Sequence, residues 1–168
     1  YLAYVVPSGF TIGARLENPG DPDTPYFTLG TMPNVVVNPS FESPPGTSWG
    51  ARNGATITTV DNGIFGDKAA EITIGPGGDI RQFMAFDFPL GTDFTMATWA
   101  RSTNGQEQQI LLYVIGQQSD GSEYDPLTKS NYTLPADGSW VYVALPFHTP
   151  AKGRITTLQC MIRAITND

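Results

Sequence analysis

The stretch FTMATWARSTNGQEQQILLYVIG, residues 94–116, decides the fold class. Side chains alternate on either side of a central Asn104-Gly105. Over 94–101, Phe94, Met96, Thr98 and Ala100 share one face, while Thr95, Ala97, Trp99 and Arg101 share the other. Over 108–116, Ile110, Leu112 and Val114 oppose Gln109, Leu111, Tyr113 and Ile115. A period of two is that of a strand, and Asn-Gly supplies the positive φ of a tight turn. The expectation is two strands lying together, each with one face suited to a core. The other face mixes aromatic, amide and guanidinium groups, a mixture that suits a neutral, hydroxylated ligand.

The same reading extends outward. Strands are expected at 34–38, 55–61, 69–74, 79–88, 130–134, 139–147 and 155–165, besides 94–101 and 108–116. In the last of these, Leu158, Cys160, Ile162 and Ala164 oppose Gln159, Met161, Arg163 and Ile165. Asn53-Gly54, Asn62-Gly63, Asp120-Gly121 and Asp137-Gly138 punctuate the series as turns. No segment keeps a 3.6-residue period over three turns. Short strands at regular spacing mean an all-β sandwich or barrel. Residues 1–33 read differently: three prolines fall between Asn18 and Pro25, which excludes a helix or a central strand there. They are expected to form an extended arm, or the end of a preceding domain, with short strands (1–6, 9–16, 26–31) that pair with something, a partner chain being one candidate. Residues 34–168 form the sandwich.

Composition narrows the function. The chain has 168 residues, of which 18 are Gly and 14 Pro, about a fifth against a usual ~12%. With 40% hydrophobic residues it can bury a core. No apolar run approaches the length of a membrane span, so membrane insertion is not expected. The net charge is −7 and the nine basic residues are scattered, which argues against nucleic acid. One histidine, His148, stands before Thr149-Pro150 and reads as an exposed strand-end residue. One cysteine, Cys160, lies in an apolar run and reads as a buried small hydrophobe. One His and one Cys do not make a zinc site, and no G-x-S-x-G or Gly-Lys-Ser/Thr motif is present. No catalytic residues are assigned; the chain is read as a non-enzyme.

The string Val35-Val36-Val37-Asn38-Pro39-Ser40-Phe41-Glu42, followed by Trp49, resembles the opening of carbohydrate-binding modules of the family 4/9/22 type. Three more stretches are similar to that family's strands, in order: Gly66 to Ile72, Phe94 to Arg101, and Trp140 to Phe147. The resemblance covers about 34–165 and implies an antiparallel jelly-roll β-sandwich of galactose-binding-like type without catalysis of its own. It implies a structural calcium site in which Glu42 would be a ligand and Asp67 its neighbour. The family's closing D-D-V strand is not matched, since the chain runs out at Thr166-Asn167-Asp168. Either that strand is replaced, with the arm a candidate, or it lies outside the chain. If sugars bind, the expected glycan-binding residues are Trp99, Arg101, Gln109 and Tyr113, with Tyr124 capping one end from the loop 119–126. Trp99 has a second reading, in which the arm covers it.

The string is also similar to modules of bacteriophage minor tail and other virion surface proteins. The resemblance therefore implies a structural module on a tail or capsid surface, with host-glycan adhesion as a further role. Its partners would be other virion subunits, a second copy of itself and cell-surface polysaccharide. The alternative is the carbohydrate-binding module of a secreted glycan-active enzyme. Both place the chain on a virion surface or outside the cell.

Overall fold

The computed structural model describes residues 4–7, 35–61, 63–64, 66–73 and 78–165. All its regular elements are antiparallel strands, apart from one 3-10 turn at Pro45–Thr47. The strands are β1 (Tyr4–Pro7), β2 (Gly50–Arg52), β3 (Thr56–Asp61), β4 (Lys68–Thr73), β5 (Asp79–Ala85), β6 (Asp93–Ala100), β7 (Gln108–Gln118), β8 (Glu123–Leu134), β9 (Val141–His148) and β10 (Ile155–Ile165). They form a three-stranded sheet, β1-β6-β9, a five-stranded sheet, β2-β5-β10-β7-β8, and a β3–β4 hairpin. This is an all-β jelly-roll sandwich.

Alternation makes the core. Phe94, Met96, Val143, Leu145 and Phe147 point inward from the three-stranded sheet. Ile80, Met84, Leu112, Val114, Leu158, Cys160 and Ile162 meet them from the five-stranded sheet. Phe86, Phe88, Phe94 and Phe147 run through one end as successive ring pairs at 4.9, 5.4 and 5.6 Å. At another edge the Tyr132 hydroxyl of β8 donates to Ala144 O of β9 at 2.5 Å, tying the two sheets. Cys160 is buried, as its apolar surroundings suggest.

Three expectations need correction. First, 34–38 is not a strand among the described residues. Val37 instead pairs with a side chain: its N–H donates to Gln82 Oε1 at 2.7 Å, and its carbonyl accepts from Gln82 Nε2 at 2.9 Å. The buried amide of Gln82 takes the place of a neighbouring backbone, and Asn38, at φ 48°, turns the chain away. Second, 130–134 is only the end of β8, which begins at Glu123. Asp125-Pro126 concealed its first half, because prolines are rare in strands; β8 is an edge strand, where they are tolerated. Third, β6 and β7 do not lie together, since they belong to opposite sheets. Their linker is a wide loop held by Ser102, which donates to Gln106 O at 2.6 Å, and not a hairpin turn. Within the arm, β1 pairs with β6 of its own chain, Val5 opposite Met96. The expected strands at 9–16 and 26–31 lie outside the described residues.

Candidate functional site

Three strands of the five-stranded sheet build a polar surface on the side away from the core. Cross-strand register fixes which side chains share it. In β5 and β10, Asp79 stands opposite Arg163, Arg81 opposite Met161, and Phe83 opposite Gln159. In β10 and β7, Met161 is opposite Tyr113, Gln159 opposite Ile115 and Arg163 opposite Leu111. Lys129 of β8 follows opposite Tyr113.

The centre is an ion pair. Arg81 forks onto Asp79, Nε to Oδ1 at 2.7 Å and Nη2 to Oδ2 at 2.8 Å. Asp79 is fully buried, so its carboxylate depends on this bidentate partner. Arg163 adds a longer contact, Nη2 to Asp79 Oδ2 at 3.4 Å. Both guanidinium groups also touch Met161 Sδ at 3.7 Å. With its amide oxygen turned toward Arg81, Gln159 accepts from that guanidinium as well. Rings flank the cluster. Phe83 is 65% exposed, leaving its face open for stacking. Tyr113 donates its hydroxyl to Asp125 and lies 5.8 Å under the Lys129 ammonium. The Asp125 carboxylate that takes this hydrogen bond, helped by burial, raises the Tyr113 ionisation above the ordinary phenol range. The phenol therefore stays neutral and keeps its hydrogen bond. Asp79, Arg81, Gln159 and Met161 are buried. What this face offers a ligand is therefore the Phe83 ring, the Tyr113 ring and the partly exposed Arg163, to which a hydroxylated ring polymer can stack and hydrogen-bond.

The expected glycan-binding residues fall in three places. Gln109 and Tyr113 are on this surface. Trp99 and Arg101 belong to the other sheet and its exit, so the four do not form one surface. Trp99 packs against Tyr142 as a tilted pair at 5.4 Å, and the Arg101 guanidinium lies 4.7 Å over Trp140. These two, with Trp140, Asn104 and Gln108, line a cavity of about 570 Å³ beside the β3–β4 hairpin. Tyr124 stands in β8, not in a loop; its ring packs against the core and its hydroxyl donates to Lys152 O at 3.1 Å. Sequence reasoning missed Asp79, Arg81, Phe83 and Gln159. The available signal was Asp79-x-Arg81-x-Phe83, whose spacing puts all three on one strand face. His148 is exposed at the end of β9 and pairs with Asp93 at 2.6 Å.

Glu42 and Asp67 are brought to one turn. Glu42 Oε1 accepts from the Lys68 N–H at 3.2 Å, and Gly66, at φ 84°, brings backbone so close to Glu42 that any Cβ would collide with it. Calcium asks for six to eight oxygens. Among the described residues no group of three acidic, His or Cys side chains gathers, and the nearby Lys68 ammonium pairs with Asp61 at 2.5 Å. The two carboxylates do not by themselves fit a calcium cage.

A family model described as a carbohydrate binding domain, covering module families 4 and 9, matches residues 33–167. The chain belongs to this carbohydrate-binding family. Its domains are typically non-catalytic, act on polysaccharide as binders, and are generally extracellular or surface-exposed. Solved structures share the fold. The CBM22-1 xylan-binding domain of Paenibacillus barcinonensis Xyn10C superposes with a TM-score of 0.56 at 13% identity, over 74% of this chain and 80% of that one. The CBM22-1-GH10 modules of Clostridium thermocellum xylanase 10B, solved with xylohexaose, give 0.60 at 14% identity, over 79% and 26%. Bacteriophage CBA120 tailspike protein 4, in its enzymatically active domain, gives 0.53 at 18% identity, over 79% and 20%. Among curated proteins none matches the chain.

Proposed function

We propose that this module binds a polysaccharide, without catalysing its turnover, through the outward surface of its five-stranded sheet. The observation that carries the reading is the Asp79–Arg81–Arg163–Gln159 cluster set between the Phe83 and Tyr113 rings. The buried pairing of Asp79, Arg81 and Gln159 makes a rigid floor under the exposed groups, so little order is lost on binding. The exposed ring of Phe83 and the edge of Tyr113 supply stacking area. The setting we favour is the surface of a phage particle, where the module would be built into a tail or capsid protein beside other subunits and touch host glycans. The likeness of the opening motif to virion modules supports this setting, and a tailspike with the same fold is consistent with it. A module of a secreted glycan-active enzyme would use the same surface.

The test is a calorimetric titration with soluble cell-wall and plant polysaccharides. Tyr113→Ala and Phe83→Ala should each weaken binding about tenfold or more, at roughly 1–3 kcal/mol per stacked ring, with circular dichroism unchanged. Trp99→Ala should leave affinity within about twofold. Loss of binding in Trp99→Ala with Tyr113→Ala unaffected would move the site to the other sheet. Immunogold labelling of intact particles, with infection blocked by the isolated module, would establish the virion setting; labelling of secreted enzyme alone would refute it.

A further inference from the structure

Charge is divided unevenly over the module. The chain carries 16 acidic and nine basic residues. Four of those cations, Arg52, Arg81, Lys129 and Arg163, stand on the outward surface of the five-stranded sheet. Among the described residues, the carboxylates on that side are Asp79, Glu123 and Asp125, and each is engaged. Asp79 holds Arg81, Asp125 accepts from Tyr113, and Glu123 accepts from Gln117 Nε2 at 3.2 Å. Among the described residues, Arg52 and Lys129 have no carboxylate within ion-pair distance. Arg163 is left short. Its best anionic contact is the 3.4 Å approach to an Asp79 already forked by Arg81, and its Nε is buried with no hydrogen-bond acceptor. A buried donor without a partner is costly, and it leaves Arg163 the least satisfied cation of the cluster. The Arg163 side chain is 37% exposed although its Nε is not, so a ligand oxygen reaches the rest of the side chain and not that nitrogen.

We infer that the glycan is acidic: a polysaccharide carrying uronate carboxylates, one of which docks on Arg163. This rests on the sheet surface being the glycan site. The expectation of a neutral ligand came from ring and amide content alone; the register shows cations gathered on the same surface. A uronate carries its carboxylate on the very ring that would stack on Tyr113, whose partner Met161 is two residues from Arg163 on β10, so one sugar residue meets both features. A polyol phosphate would bring charge without a ring to stack. Placing a carboxylate among these cations also fits a chain that is strongly acidic elsewhere and would repel the polymer from its other surfaces.

The experiment uses matched polymers. Polygalacturonate, alginate, hyaluronan and a glucuronate-substituted xylan are each titrated beside the same polymer with its carboxylates reduced to alcohols. In at least one pair the acidic form should bind about tenfold more tightly at low salt, as a charge-assisted contact requires. The gap should narrow by 0.5 M NaCl. Arg163→Gln should bring the acidic form to the affinity of its reduced partner, while Arg163→Lys keeps part of the difference; both should melt near wild type. Equal affinity within every pair, with binding present, would overturn the acidic class and leave the glycan surface standing. Binding of no polymer in either form would remove both. A polyol phosphate bound as tightly as the best uronate would show that charge alone is read, and would overturn the uronate assignment.

Discussion

At the scale of single residues, the opening motif is a self-contained knot. Asn38 closes a ring with Ser43, its Nδ2 donating to Ser43 O at 2.7 Å and its Oδ1 accepting from Ser43 N. Its carbonyl accepts from the Trp49 indole at 3.4 Å, and Phe41 packs on Trp49 at 5.4 Å. The motif's residues were legible; the partner that fastens it was not. Nothing in the spacing of Gln82 says that its amide will serve as a strand edge for Val37, 45 residues away. Gln82→Leu keeps the volume but strands the Val37 N–H and carbonyl. It should cost about 2–4 kcal/mol, at roughly 1–3 per orphaned group, measured by urea denaturation. A loss under about 0.5 kcal/mol would mean water replaces the amide. Cys160 gives a second prediction. Burial pushes its thiol from 9.0 up to about 12. The unfolded chain therefore loses this proton above about pH 9, while the fold keeps it until about 12. Stability owed to the neutral thiol is complete below pH 9 and falls by about 1.4 kcal/mol per pH unit above it. Cys160→Ala should show a correspondingly shallower alkaline decline, and native Cys160 should resist iodoacetamide at pH 8.

At the scale of elements, alternation was read correctly because each strand has one surface against the core. Ile110, Leu112 and Val114 are buried, as are Phe94 and Met96. Which strand neighbours which was not legible. A sandwich crosses between sheets through loops, and the loop at Asn104-Gly105 looks in sequence like a hairpin turn. Its Ser102 and Asn104 hydrogen bonds serve a wide crossover instead. The candidate site suffered most from this, because a surface is assembled from neighbours. The β5–β10 pair shows what is at stake. Asp79 and Arg81 form their fork within one strand, and Arg163 reaches them from the next. Asp79→Ala leaves the nearly buried Arg81 without its counter-charge and should cost about 3–5 kcal/mol. The double variant Asp79→Ala, Arg81→Met should recover most of that loss in a double-mutant cycle. If the single variant loses less than about 1 kcal/mol, the surface is wetter than the packing indicates, and rigidity does not explain its recognition.

At the scale of the whole molecule, the two sheets are unequal in how they are completed. The five-stranded sheet is built from 50–165, but the three-stranded one takes its edge from residues 4–7, beyond the segment 8–34. The register runs Tyr4 opposite Ala97 to Pro7 opposite Phe94. Without that strand, β6 would present a row of unpaired backbone groups beside an apolar core, a template for another chain. The edge therefore joins stability to assembly. Removing residues 1–7 should lower stability by about 1–3 kcal/mol, counting two to three ladder hydrogen bonds at roughly 1 kcal/mol each. It should also promote self-association, visible by sedimentation. Hydrogen exchange distinguishes where the strand comes from. The β6 amides facing β1 should be protected in the full chain and lose protection in the truncation, while those facing β9 change little. If protection is the same at micromolar and submicromolar concentration, the chain closes its own sheet and association uses another surface. If protection fades on dilution, a second copy supplies the strand, and the homo-oligomer expected from the sequence is built by strand exchange.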